Sequence, residues 1–126
     1  MTDNLRKNFP LYSGFLRYFP DALMAVAEVS KIGNEQHNPG TPLHWDRSKS
    51  TDEPDALLRH LKDAGTLDSD GLRHSAKVAW RALALLQKEI EAGGHVHETL
   101  EGMTTEEVAA FRLAHEGATG PQGNIR

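Results

Sequence analysis

Apolar residues recur at alternating gaps of four and three through residues 70–91, at Leu72, Ala76, Ala79, Leu83, Leu86 and Ile90. This rhythm predicts a long helix carrying one continuous apolar stripe. A second row, His74, Lys77 and Arg81, keeps the same spacing on another face and carries groups suited to phosphate or metal. One helix is therefore expected to serve both core and site.

Upstream, Leu23, Met24, Val26, Ala27, Val29 and Ile32 make residues 21–37 apolar over much of a helical circumference, which predicts burial between neighbours. Pro20 and Asp21 suit its start, where a fixed φ and a negative charge complement unpaired N–H groups. Glu28 and Glu35 lie seven apart, two turns along nearly one face, where two carboxylates can meet a cation. For Glu28, solvation or a pair with Lys31 is the simpler role.

Residues 51–64 predict a further helix. Ser50 and Glu53 have capping-box spacing, Pro54 falls in the tolerant first turn and Gly65 suits the C-terminal cap. Leu57, Leu58 and Leu61 are expected to face inward, with His60 beside them as a hydrogen-bonded core histidine. Asp55 and Arg59 have the spacing of an ordinary helical ion pair. The turn over residues 65–71 brings Asp68 and Asp70 to the start of the long helix. Asp68 reads as a cap, whereas Asp70, four before His74, could join that imidazole on one divalent ion.

Between these helices, residues 37–50 are rich in Pro, Gly, Asn and Ser and form a loop of functional length. Its Trp45 can stack on a base or plug the loop onto the core. In residues 1–20, Phe9, Tyr12, Phe15, Tyr18 and Phe19 are broken by Pro10, Gly14 and Pro20, which predicts an extended arm whose aromatics cover apolar helix surface or a subunit interface, with a base-stacking platform as the alternative. Beyond Gly93, His95 and His97 alternate as strand neighbours would. Thr104 and Glu107 open a short helix reaching about residue 115.

At 126 residues the expectation is one domain, with an arm over 1–20, a helical core over 21–91 and an extension over 95–126. Fourteen basic against eighteen acidic residues give a net charge of -4 without a basic cluster, which disfavours binding to a nucleic acid polymer. A single anionic nucleotide needs only a few local cations. The chain has no cysteine, which excludes disulfides and thiol catalysis and leaves oxygen and imidazole as metal ligands. No run approaches the roughly 20 apolar residues of a membrane span, so a soluble cytoplasmic protein is expected.

Acidic and imidazole groups on facing sides of helices suggest a divalent metal site inside an all-α bundle. Oxygen-rich ligands favour Mg2+ or Mn2+, ions that commonly accompany phosphates, and phosphoanhydride hydrolysis is the natural reaction. The combination GNEQHNPGTPLHW, DALLRHL and LDSDGLRHSAKVAWRALALL resembles the phage-encoded dATP/dGTP diphosphohydrolases among the MazG-like nucleotide pyrophosphohydrolases. Within them it is most similar to the MazZ group of phages that replace adenine by 2-aminoadenine. The resemblance covers about residues 9–91.

That resemblance implies a MazG-like all-α bundle in which E-x-x-E and E-x-x-D motifs bind magnesium. Laid onto this chain, the first motif keeps Glu35 and has Asn38 as its second member, while the second falls on His74 and Lys77. Asp55 or Asp70 would then supply the missing charge. The implied roles are Glu35 and Asp70 as metal ligands, Asp55 as ligand or water-orienting base, His74 as ligand or hydrogen-bond partner, and Lys77 and Arg81 on phosphate. Trp45, Asn34 and Asn38 are candidates for the base pocket. The implied substrate is dGTP, with GTP or dATP as further substrates, cleaved to the monophosphate and pyrophosphate by a homodimer or homotetramer. A catalytically inactive nucleotide-binding module and a purely structural helical protein are the alternatives.

Overall fold

The computed structural model of the chain describes residues 7–93 and 104–115. They hold four α-helices and one π-helical turn, and no strand beyond an isolated bridge between Leu67 and Arg73. The all-α class follows directly from the sequence rhythm. We number the helices α1 (Pro20–His37), α2 (Glu53–Lys62), α3 (His74–Gly93) and α4 (Thr105–His115). No helix among the described residues is long and apolar enough to cross a membrane. His95 and His97, and any strand pair they would form, lie outside the described residues.

The chain divides into two compact units, residues 16–93 and a second made of residues 1–15 with 94–126. In the second unit, Val108 of α4 is buried against Phe9 and Phe111. The π-helical turn Tyr12–Leu16 falls within the segment expected to be extended. Gly14 makes its entry possible. Its N–H donates to Pro10 O at 2.7 Å, and a Cβ there would stand only 3.0 Å from the proline ring.

In the first unit α1 and α2 both pack on α3, α2 the more extensively. The buried apolar residues of this unit are mostly small: Ala56 on α2 and Ala76 and Ala84 on α3, joined by Leu72. Small side chains let helix backbones approach closely: the expected stripe is buried at Leu72 and Ala76, and further along Ala84 takes the buried position in place of Leu83 and Leu86. Leu83 and Leu86 are 44% and 52% exposed, and Leu58 and Leu61 of α2 are exposed as well. Ala56, 1% exposed, has no room to grow. Ala56→Leu is expected to destabilise the unit by about 1–3 kcal/mol through overpacking, read as a lower urea midpoint with an unchanged slope.

The ends of α2 and α3 also differ from the sequence expectation. Glu53 does not reach back to a cap: its carboxylate is buried and accepts from Lys88 Nζ at 3.1 Å, while Ser50 Oγ donates to Asp52 Oδ1 at 2.9 Å. With the capping box unmade, the helix opens at Glu53. Arg59 pairs with Asp52 at 3.1 Å rather than with Asp55. α3 starts at His74, not at residue 70, because Gly71 adopts φ +83° and the turn before it closes on itself. Asp68 N–H donates to Leu72 O at 2.7 Å and His74 N–H to Thr66 O at 3.1 Å.

Candidate active site

A cavity of about 620 Å³ opens in the first unit, within the size range of small-molecule sites. Residues of α1, the following loop, α2, the acidic turn and α3 line it, among them Asn34, Trp45, His60, Asp70, Lys77 and Arg81.

The helical period of α3 places Lys77 and Arg81 one turn apart on the cavity side, as their spacing predicts. Lys77 Nζ donates to Asp68 Oδ2 at 2.7 Å and to Asp70 Oδ2 at 2.8 Å. All three side chains are largely removed from solvent. The acidic turn presents both carboxylates: Asp68 Oδ1 accepts from Ser69 N–H at 2.7 Å and Asp70 Oδ1 from Leu72 N–H at 3.1 Å. Gln36 Nε2 of α1 reaches Asp70 Oδ2 at 3.5 Å.

The hydrogen bond from Lys77, reinforced by that from Ser69, holds the Asp68 carboxyl down to about 2. The same ammonium lowers Asp70 against the opposing effect of burial. Partial burial works against a charged Lys77, yet the two carboxylates raise its pKa above the ordinary lysine value. Lys77 is thus a fixed cation between two fixed anions.

On the other side of these groups, His60 Nδ1 of α2 stands 2.9 Å from His74 Nδ1 at the start of α3. The rings are tilted, with centroids 5.2 Å apart. Asp68 Oδ2 lies 4.0 Å from His74 Nδ1. Burial, then the charge on Lys77, lowers the His60 pKa and favours its neutral form.

Arg81 Nη1 donates to Ser50 Oγ at 2.7 Å and lies 3.6 Å from Glu53 Oε1. Lys88 Nζ meets the same Glu53 oxygen and also donates to Ser50 O at 2.6 Å. Burial of Glu53 would raise its carboxyl pKa, but the Lys88 hydrogen bond and backbone support leave it below the usual value. This cluster pins the start of α2 to α3 and holds the Arg81 guanidinium through its Nη1.

Two tryptophans stand at the cavity in an edge-to-face pair, Trp45 and Trp80, with ring centroids 5.7 Å apart. Trp80 Nε1 donates to Ser30 Oγ of α1 at 2.8 Å. The Arg47 guanidinium covers Trp45 at 4.0 Å and is itself held by both oxygens of Glu91, at 2.8 and 2.7 Å. Asn34 Nδ2 donates to Thr41 O at 3.2 Å, which leaves its buried Oδ1 without a hydrogen-bond partner. Asn38 lines the same cavity, and its carbonyl accepts from Thr41 Oγ1 at 2.7 Å.

The structure brings Asn34, Asn38, Trp45, Asp70, Lys77 and Arg81 together around one cavity, with His74 behind Asp68. Glu35 and Asp55 do not line it. The Glu35 carboxylate is 58% exposed and 4.0 Å from Lys31, and Asp55 is exposed on α2. Because residue 70 precedes α3, Asp70 does not share a helical face with His74 and turns instead to Lys77. Asp68, expected as a cap, stands in the cluster. His60 reaches it through tertiary packing that no spacing within one helix encodes.

No curated protein and no solved structure matches the chain. The model of one family, described as dATP/dGTP diphosphohydrolase, N-terminal, matches residues 9–98. That span takes in α1, α2, α3 and every residue around the cavity, and the chain belongs to the dATP/dGTP diphosphohydrolase N-terminal family.

Proposed function

We propose that this protein is a nucleoside triphosphate pyrophosphohydrolase that converts dGTP, with dATP or GTP as further substrates, to the monophosphate and pyrophosphate. In this reading it works with Mg2+ or Mn2+ as a homo-oligomer in the cytoplasm of a phage-infected cell, and its dGMP feeds 2-aminoadenine nucleotide synthesis. The observation that carries the reading is the Lys77 ammonium held between Asp68 and Asp70 on the wall of a nucleotide-sized cavity, beside Arg81. Family membership supports the same reaction.

Arg81 and Lys77 would take phosphate oxygens, the first as a fork and the second as a point charge. Trp45 offers a stacking surface for the base, and the unpartnered Asn34 Oδ1 suits a purine amino or ring N–H donor. Asp70, ionised and anchored by Leu72 N–H, can accept a hydrogen bond from a bound water and orient it. Asp68 and Asp70 present carboxylate oxygens on the cavity wall that would suit a divalent ion. Such an ion supplies neutralisation of phosphate charge and a more acidic water. Exposed Leu58, Leu61, Leu83 and Leu86 fit burial against a second copy of the chain.

Incubation with each deoxynucleoside triphosphate and Mg2+, repeated with Mn2+, followed by ion-exchange chromatography, is expected to yield dGMP and pyrophosphate. Formation of dGDP and phosphate would reject the cleavage site. The same assay on Glu35→Gln and Asp55→Asn separates ligands from bystanders: abolished turnover with intact helicity keeps that carboxylate in the reaction, and full activity removes it.

One observation favours a second reading. Lys77 already satisfies both carboxylates of the acidic turn, as suits a catalytically inactive module that holds a nucleotide. Nucleotide binding without any product would select it.

A further inference from the structure

Two imidazole nitrogens that face each other at 2.9 Å either share one proton or direct both lone pairs at a common cation. The second arrangement has a third donor in place. One ligand atom each from His60, Asp68 and His74 lies within 4.8 Å of the other two. Metal–nitrogen bonds of about 2.1 Å put adjacent donors about 3.0 Å apart at octahedral angles and about 3.4 Å apart at tetrahedral ones, so the two nitrogens at 2.9 Å stand close to bonding separation on one ion. The donors come from α2, the acidic turn and the first residue of α3. The turn that joins the last two is closed by its own backbone bonds, Asp68 N–H to Leu72 O and His74 N–H to Thr66 O.

We propose that His60, Asp68 and His74 form a binding site for a first-row transition-metal dication of the manganese, cobalt and zinc class. Magnesium is disfavoured there, because it requires oxygen ligands in near-ideal octahedral geometry, whereas imidazole suits the transition ions. Three protein ligands leave coordination positions open, and His60 and Asp68 both border the cavity, so a ligand there would lie beside the ion. Lys77 is the group that opposes the ion, since its ammonium shares Asp68 Oδ2. The carboxylate has lone pairs for both partners.

The inference rests on the hydrolase reading only for what the ion is used for, so binding is measured without nucleotide. The chelator-treated full chain is titrated with Co2+ and followed by visible absorption. One saturable equivalent is expected, resisting a hundredfold excess of Mg2+. His60→Asn and His74→Asn should each weaken it at least about tenfold, whereas His44→Asn, an imidazole elsewhere on the cavity wall, should not. Retained binding in both of the first two variants, or displacement by equimolar Mg2+, overturns the site.

If a variant fails to fold, a Zn2+ titration of the 15N-labelled wild-type chain reads the same question. The His60 and His74 ring nitrogens should shift together at one equivalent, and shifts confined to other histidines overturn the proposal. Metal binding at these residues with no turnover of any nucleotide upholds the site and rejects the hydrolase. Turnover with Mg2+ and no Co2+ binding at them does the reverse.

Discussion

Lys77→Met is expected to lower turnover of the preferred nucleotide by about 10²–10³-fold, the range for losing one preorganised charge partner of a reacting group. Two consequences follow from the geometry. On the proposed reading the variant would lose a phosphate ligand, and it also releases Asp68 and Asp70, which the ammonium holds at 2.7 and 2.8 Å. Lys77→Arg separates them: a guanidinium keeps the charge but not the single-point grip on both carboxylates, and should restore binding more than turnover.

The same variant has a signature in stability. Asp68 titrates at about 2 in the folded chain instead of its ordinary 3.8. Folding is therefore favoured by its ionisation above about pH 4, and that contribution disappears as the pH falls through about 2. The shift corresponds to about 2 kcal/mol, reduced to about 1 kcal/mol by solvent screening, since the side chain is about a quarter exposed. Urea midpoints at pH 6 and pH 2.5 should differ less in Lys77→Met than in the wild-type chain. An equal acid dependence in both would dissociate the low Asp68 pKa from the lysine.

The largest loss of stability is expected at Glu53. Its side chain is 5% exposed, and it faces Lys88 and Arg81, each about a quarter exposed. Removing one member of a buried ion pair costs about 3–5 kcal/mol, and the partial access of water to the two cations brings the expectation for Glu53→Ala to about 2–3 kcal/mol. Chemical denaturation measures it directly. Adding Lys88→Met to Glu53→Ala should recover part of the loss, since it removes a cation left without its anion. Additive losses would show that the pair is not coupled. Arg81 would also lose its anchor, so the Michaelis constant for nucleotide should rise in Glu53→Ala even where the fold persists.

The order and type of the helices could be read from the chain because each rests on local signals. Pro20 and Asp21 mark the start of α1, Pro54 lies in the first turn of α2, and the period through residues 76–90 carries α3. The cationic row Lys77 and Arg81 was legible for the same reason. What could not be read depends on contacts between segments. The apolar period runs on through Leu72, yet the positive φ of Gly71 and the bridge of Leu67 with Arg73 delay the helix to His74. Ala84, outside the predicted stripe, claims the buried face over larger Leu83 and Leu86, a consequence of close helix approach that hydrophobic size alone misjudges. Glu53 has the pattern of a capping residue and is taken instead by Lys88, 35 positions away. The pairing of His60 with His74 and Asp68 exists only once α2 lies on α3.

Trp45 and Trp80 are the two tryptophans of the chain, and both border the cavity in mutual contact. The intrinsic emission of the protein therefore originates at the place where a ligand would sit. With the two indoles edge to face at 5.7 Å, a base stacking on Trp45 or a shift of its loop alters the environment of both emitters at once. Occupancy can be followed optically in the unmodified protein, without a label and without waiting for product.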